Sequence, residues 1–182
     1  LRTSYGMNGN VSGIGNYTLQ GAYATSTNYN GNSSYVISSI PNPTLRWEKT
    51  KTWEFGLDLS FLENRYSTNF TYYDRLTDGK YAAASLPVSS GISSITTNNG
   101  QFRNRGVEID VTAKVIQGKD WNWTLGANIS YNKNTVVTLP NNGLERNRQN
   151  AFQISTGRKD DQGNDILEWV GGYQEGQEPG IL

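Results

Sequence analysis

Glu108 and Asp110 are the nearest this chain comes to an acid–base pair. On a strand, residues two apart share a face with Cα atoms about 6.8 Å apart, a placement that would suit the paired carboxylates of a glycosidase. The same placement describes two charges on a wetted face, which needs no further group. Asp160, Asp161, Asn164 and Asp165 offer oxygen ligands for calcium, but they lack the spacing of an EF-hand loop. With Gln162-Gly163 between them they also read as a solvated hairpin turn. There is no histidine and no cysteine, which removes disulfides, thiol nucleophiles, His-based acid–base pairs and the usual zinc ligands. No catalytic group, metal site or cofactor is expected, and the chain is not read as an enzyme. Arg103 and Arg105 could bind lipopolysaccharide phosphates through their forked donors, or snorkel and pair with nearby carboxylates. Asn16, Asn69, Asn122 and Asn128 match glycosylation sequons by chance in an Asn-rich chain.

The elements carrying these residues alternate strictly. In 51–62, Trp53, Phe55, Leu57, Leu59 and Phe61 fall on one face, and Glu54, Gly56, Asp58 and Ser60 on the other. After the short connection 62–65, Tyr66, Thr68, Phe70 and Tyr72 alternate with Ser67, Asn69, Thr71 and Tyr73. Residues 103–116 set Val107, Ile109 and Val111 against Glu108, Asp110 and Lys114. Beyond the turn 117–120, Trp121, Trp123, Leu125, Ile129 and Tyr131 share a face opposite Asn122, Thr124, Asn128 and Ser130. The expected strands are 1–6, 51–62, 66–75, 103–116 and 121–137, with long connections at 8–50, 76–101 and 138–182. A hairpin about Asn30-Gly31 is expected inside the first of these.

Only 35% of residues are hydrophobic, yet 12% are aromatic, including 11 Tyr and 5 Trp. Disordered chains are poor in aromatics, and no apolar run approaches the ~20 residues of a spanning helix. Low mean hydropathy with many aromatics fits a membrane β-barrel, where only alternate residues face lipid. The runs approach the ~9–11 residues of a tilted membrane strand, and aromatics close both ends of the apolar faces. The fold class expected is therefore all-β, an antiparallel transmembrane barrel segment. Trp53, Phe55, Leu57, Leu59, Phe61, Phe70, Val107, Ile109, Val111, Trp121, Trp123, Leu125, Ile129 and Tyr131 should face lipid. Glu54, Asp58, Glu108, Asp110 and Lys114 should face the lumen. Short turns of such barrels face the periplasm and long loops face outward, so Tyr23, Tyr29, Tyr35, Trp169 and Tyr173 lie in outer loops. There they contact substrate or partner, or pack loop on loop. Net charge is +0, which gives no reason to expect nucleic acid. A soluble or surface-attached β-sandwich that binds glycans is the alternative to the barrel.

The paired aromatic belts around an uncharged face separate these readings, and two blocks of the sequence bear on the barrel. Asn42-Pro43, Leu45, Trp47-Glu48-Lys49-Thr50, Gly56-Leu57-Asp58 and Asn64-Arg65 form the first. Asn99-Gly100, Arg103-Asn104-Arg105-Gly106-Val107-Glu108, Trp121, Trp123 and Tyr131-Asn132-Lys133-Asn134 form the second. In order and spacing they resemble the SusC/RagA family of TonB-linked outer-membrane proteins. The resemblance implies part of a barrel of about 22 strands in a bacterial outer membrane, importing glycans or peptides. It also implies TonB, engaged through an N-terminal part that this chain does not contain, and a SusD-like surface lipoprotein. No plug, TonB box or closing C-terminal strand is recognisable within these residues.

Overall fold

A computed structural model of the chain describes residues 1–180, apart from the side chains of residues 27–29 and 88. Among them, β1 (Arg2–Asn10), β4 (Glu48–Phe61), β5 (Tyr66–Ser85), β6 (Ser94–Gln117) and β7 (Asn122–Thr138) form one sheet in the order β1-β4-β5-β6-β7. Strands β2 (Ala22–Tyr29) and β3 (Asn32–Ser39) form the hairpin about Asn30-Gly31. Strands β8 (Phe152–Lys159) and β9 (Asp165–Val170) form a second hairpin. The connections 62–65 and 118–121 are too short for anything but antiparallel neighbours. Between β1 and β4 the pairs Ser4–Glu54 and Asn10–Glu48 run in opposite senses, so these are antiparallel as well.

The strands are longer than the alternation marks. β5 has 20 residues and β6 has 24, so most of the expected loop 76–101 is ladder. The turn signals there were misleading for a physical reason. Asp78-Gly79 sits inside β5, where Gly79 adopts φ +68° without ending the strand. Asn98 on β6 collects the displaced Gly79 carbonyl at 2.7 Å. Asp78 accepts from Gln101 at 2.8 Å, and Thr97 donates to the Ala82 carbonyl at 3.2 Å. The reversal comes later, closed by the Leu86 N–H on the Ser93 carbonyl at 2.9 Å.

The chain divides into two compact units. The first comprises Leu1–Asn8, Thr50–Leu76 and Arg103–Asn134, and the second Gly9–Lys49, Thr77–Phe102 and Thr135–Leu182. In the first, the only buried apolar side chain among the described residues is Tyr73, 8% exposed. It fills the place that a side chain at Gly106 would occupy on the neighbouring strand. A Cβ there would meet the Tyr73 ring and come within 2.8 Å of the Tyr131 carbonyl oxygen. The Arg75 guanidinium lies over the Tyr73 ring, 4.6 Å from its centroid. An aromatic laid over a glycine across a strand pair fixes register. At the 62–65 connection, Leu62, Glu63 and Asn64 all take left-handed φ, and Arg65 caps the Lys114 and Val115 carbonyls at 3.0 and 2.8 Å.

Gly106→Val should therefore cost roughly 1–3 kcal/mol through overpacking. Gly126→Val, whose Cβ would meet nothing closer than a carbonyl oxygen at 3.9 Å, should be tolerated. Protease resistance of the folded full-length protein is the measurement, with loss expected for the first variant alone.

Candidate functional site

The first unit presents two unlike faces. On the polar face Arg2 spans three strands: its guanidinium donates to Asp58 at 3.0 Å, Asn69 at 3.0 Å and Thr71 at 3.3 Å. Glu54 pairs with Arg75 at 3.5 Å and accepts from Ser4 at 3.4 Å. Farther across, Asn104 donates to Asn132 at 2.8 Å and to Asn134. Glu108 and Asp110 are exposed, and Asp110 lines a shallow groove with Thr112 and Asn128. Lys114 is half-buried beside the Arg65 staple. All five carboxylates and amines expected on this face share its strand parity. Arg2 from β1 and Arg75 from β5 tie the β4 carboxylates Asp58 and Glu54 to the neighbouring strands.

The opposite face is apolar and largely bare. Trp53, Phe55, Leu59, Phe61, Val111, Trp121, Trp123, Leu125, Ile129 and Tyr131 are all exposed, Trp121 by 79% and Ile129 by 67%. Leu57, Phe70, Val107 and Ile109 are half-buried by their strand neighbours. Tyr5 joins Trp53 with ring centroids 6.4 Å apart. A soluble protein rarely leaves so large an apolar patch without a partner.

The second unit explains part of the motif pattern. Asn98 closes a double bond with the Arg46 backbone, accepting its N–H at 2.6 Å and donating to its carbonyl at 2.7 Å. Asn42 donates to the Thr96 carbonyl at 2.8 Å and holds Thr44 in an Asx turn. Leu45 is buried behind them. Glu48, 5% exposed, accepts the Tyr81 N–H at 3.0 Å and the Asn10 amide at 3.2 Å, with Lys80 at 3.6 Å. These residues are a latch joining segments 33 to 54 apart in sequence, and their chemistry is structural. Beside the latch a polar cleft of about 420 Å³ is lined by Arg46, exposed Trp47, Lys49, Asp78 and Asn99. The sequence reading missed this cleft, although Trp47 between Arg46 and the Glu48-Lys49 pair was its one visible sign.

The predicted loop aromatics divide. Trp169 lies under the Arg148 guanidinium, 4.3 Å from the ring centroid, and Tyr173 meets Phe102 edge-on at 5.9 Å. Both pack loop structure. Tyr23 and Tyr35 stay 75% and 70% exposed on one face of the β2–β3 hairpin, Tyr23 opposite Ile37 and Tyr35 opposite Thr25. The side chain of Tyr29 lies outside the described residues. Asp160 serves its own turn, accepting the Gln162 and Asn164 N–H groups at 2.9 and 2.8 Å and the Asn164 side-chain amide at 3.1 Å. Among the described residues, no three acidic groups gather as a metal site.

Comparison with known proteins bears on this two-faced sheet. A family model described as TonB dependent receptor-like, beta-barrel, matches residues 1–175. TonB-dependent receptor P3 of Formosa agariphila is 34% identical over 142 residues, covering 76% of this chain and 14% of that protein. TonB-dependent receptor SusC of Bacteroides thetaiotaomicron is 35% identical over 127 residues, covering 68% of this chain and 12% of SusC. The chain thus spans less than a sixth of either relative. Among solved structures, the RagAB peptide importer in its open-open state superposes with TM-score 0.71 at 28% identity, covering 96% of this chain and 21% of that one. The structure of the RagAB peptide transporter gives TM-score 0.68 at 28% identity over 92% of this chain and 21% of that one.

The Asp160 turn has a pH signature. Hydrogen bonds from the Asn164 backbone and side chain, then from Gln162 and Gly163, hold its carboxyl below the ordinary aspartate range. A carboxyl depressed in the folded state stabilises above its unfolded pKa, and that contribution vanishes as pH falls through the folded value. Exchange at the Gln162 and Asn164 amides, corrected for intrinsic pH dependence, should stay slow at neutral pH and accelerate only in acid below that range. Asp160→Ala should exchange quickly at every pH.

Proposed function

This chain belongs to the TonB dependent receptor-like β-barrel family, and from that premise we propose that it forms wall strands of an outer-membrane importer of glycans or peptides. The observation that carries the reading is the sheet's division into a bare apolar face and a laddered polar one. The apolar face, from Trp53 to Tyr131, meets lipid. The face of Arg2, Glu54, Asp58, Glu108, Asp110 and Lys114 meets the aqueous lumen. Strand edges exposed to hydrocarbon are not tolerated, so β1 and β7 pair onward with strands of the parent protein. Family membership removes the β-sandwich alternative. The named relatives are receptors and a peptide transporter, and exposed Glu108 and Asp110 act as wall charges without a catalytic part. Import is energised by TonB acting on the plug of the parent, and the outer side carries a SusD-like lipoprotein. Tyr23 and Tyr35, the free aromatics of the β2–β3 hairpin, contact that lipoprotein or the incoming substrate.

The faces are tested by charge. Leu125→Arg sets a cation against hydrocarbon at about 2–4 kcal/mol near mid-membrane, whereas Asp110→Arg alters a wetted wall. In the full-length protein, Leu125→Arg should lower the heat-modifiable barrel recovered from outer membranes and Asp110→Arg should not. Equal recovery would mean that the faces are misassigned. Import is tested at the loops, which carry recognition on a rigid scaffold. Tyr23→Ala with Tyr35→Ala on the β2–β3 hairpin should leave assembly intact while impairing lipoprotein co-purification or uptake. Unchanged co-purification and growth on the transported nutrient would place recognition elsewhere.

A further inference from the structure

On the apolar face of the first unit every strand charge gathers at one end. Asp74 on β5 bridges two arginines of β6: Arg103 donates to it at 2.9 Å and Arg105 at 3.0 Å. Strand alternation adds two cations to the same face. Lys51 lies two residues from Trp53, and Lys133 lies between Asn132 and Asn134, which turn to Asn104 on the polar side. Four cations against one carboxylate leave a net charge of +3 at this rim. The rest of the face, from there to the turns 62–65 and 118–121, carries no charge on its strands. Trp53, Tyr72 and Tyr131 stand where the cations give way to the apolar band, as rings do at a membrane–water boundary.

A lone ion pair would neutralise itself. Here the carboxylate instead holds two guanidiniums side by side, with Arg103 40% and Arg105 50% exposed. Their remaining forked donors suit a phosphate oxygen by oxygen. We propose that Lys51, Arg103, Arg105 and Lys133 form a binding site for the phosphate headgroups of lipids in the leaflet that meets this rim. The proposal rests on the barrel reading, since only lipid against the apolar band brings headgroups to this level. The sign of the charge and its confinement to one end favour an anionic lipid surface over a protein partner.

The test uses the full-length importer in detergent, equilibrated with mixed micelles of phosphatidic acid and phosphatidylcholine, the retained lipids being counted by native mass spectrometry. Phosphatidic acid should be retained in excess, and Arg103→Gln with Arg105→Gln should cut that excess about tenfold or more. Lys119→Gln, in the turn at the opposite end, should leave it unchanged. If the arginine variant fails to assemble, Lys51→Gln with Lys133→Gln removes two of the charges without touching the Asp74 bridge, and should also lower the excess. Millimolar inorganic phosphate should not displace the lipid. Complete displacement would make this a free-anion site and overturn the lipid assignment. So would a heat-modifiable barrel with no headgroup preference, or an excess that survives both double variants. Absence of any heat-modifiable barrel in the unaltered protein would instead overturn the barrel reading itself.

Discussion

A sheet with hydrocarbon against one face and water against the other has a single workable register. Sliding β4 by one residue would carry Glu54 and Asp58 into the apolar layer and turn Trp53, Phe55 and Phe61 toward water, and the same slip of β6 would bury Glu108 and Asp110. A carboxylate at mid-membrane costs less than the about 2–4 kcal/mol of a cation, but two per strand, with the aromatics turned out to water, still take a large share of a marginal stability. The remaining features follow from holding that register. Tyr73 laid over Gly106 locks β5 to β6. Arg2, reaching across to Asp58, Asn69 and Thr71, ties β1, β4 and β5 on the polar side. Arg65 staples the carbonyls of β6 at the short turn.

The same constraint accounts for what the sequence shows openly. A period of two, sustained through Trp53–Phe61 and Trp121–Tyr131, is a local property of the chain, and both the sheet and its faces can be read from it. The TonB dependent receptor-like family and the all-β fold were legible too, the first through Asn42-Pro43, Trp47-Glu48 and Arg103–Glu108. What the motif residues do was not legible. Asn98 and Arg46 are 52 residues apart, and Glu48 and Tyr81 are 33 apart. No local pattern announces that an amide will copy a strand's hydrogen bonds or that a buried carboxylate will gather three donors.

The errors of extent have a matching cause. Asp78-Gly79 and Asn99-Gly100 are turn-forming pairs by local preference, yet both lie within strands because β5 and β6 have each other to pair with. Tertiary pairing outweighs the preference, and the left-handed Gly79 is carried inside the strand. The loop aromatics divide for a similar reason. Trp169 and Tyr173 meet Arg148 and Phe102, partners 21 and 71 residues away that no local pattern announces, whereas Tyr23 and Tyr35 stay 75% and 70% exposed on their hairpin.

The chain contains no cysteine, which makes the central claim directly measurable by single-cysteine labelling along β7. In intact cells carrying the full-length protein, otherwise free of cysteine, a membrane-impermeant maleimide reports water at each position from Asn122 to Tyr131. A wall strand predicts labelling at Asn122, Thr124, Asn128 and Ser130 and protection at Trp123, Leu125, Ile129 and Tyr131. Uniform labelling across the eight positions, or the opposite phase, would contradict a sheet that divides lipid from water.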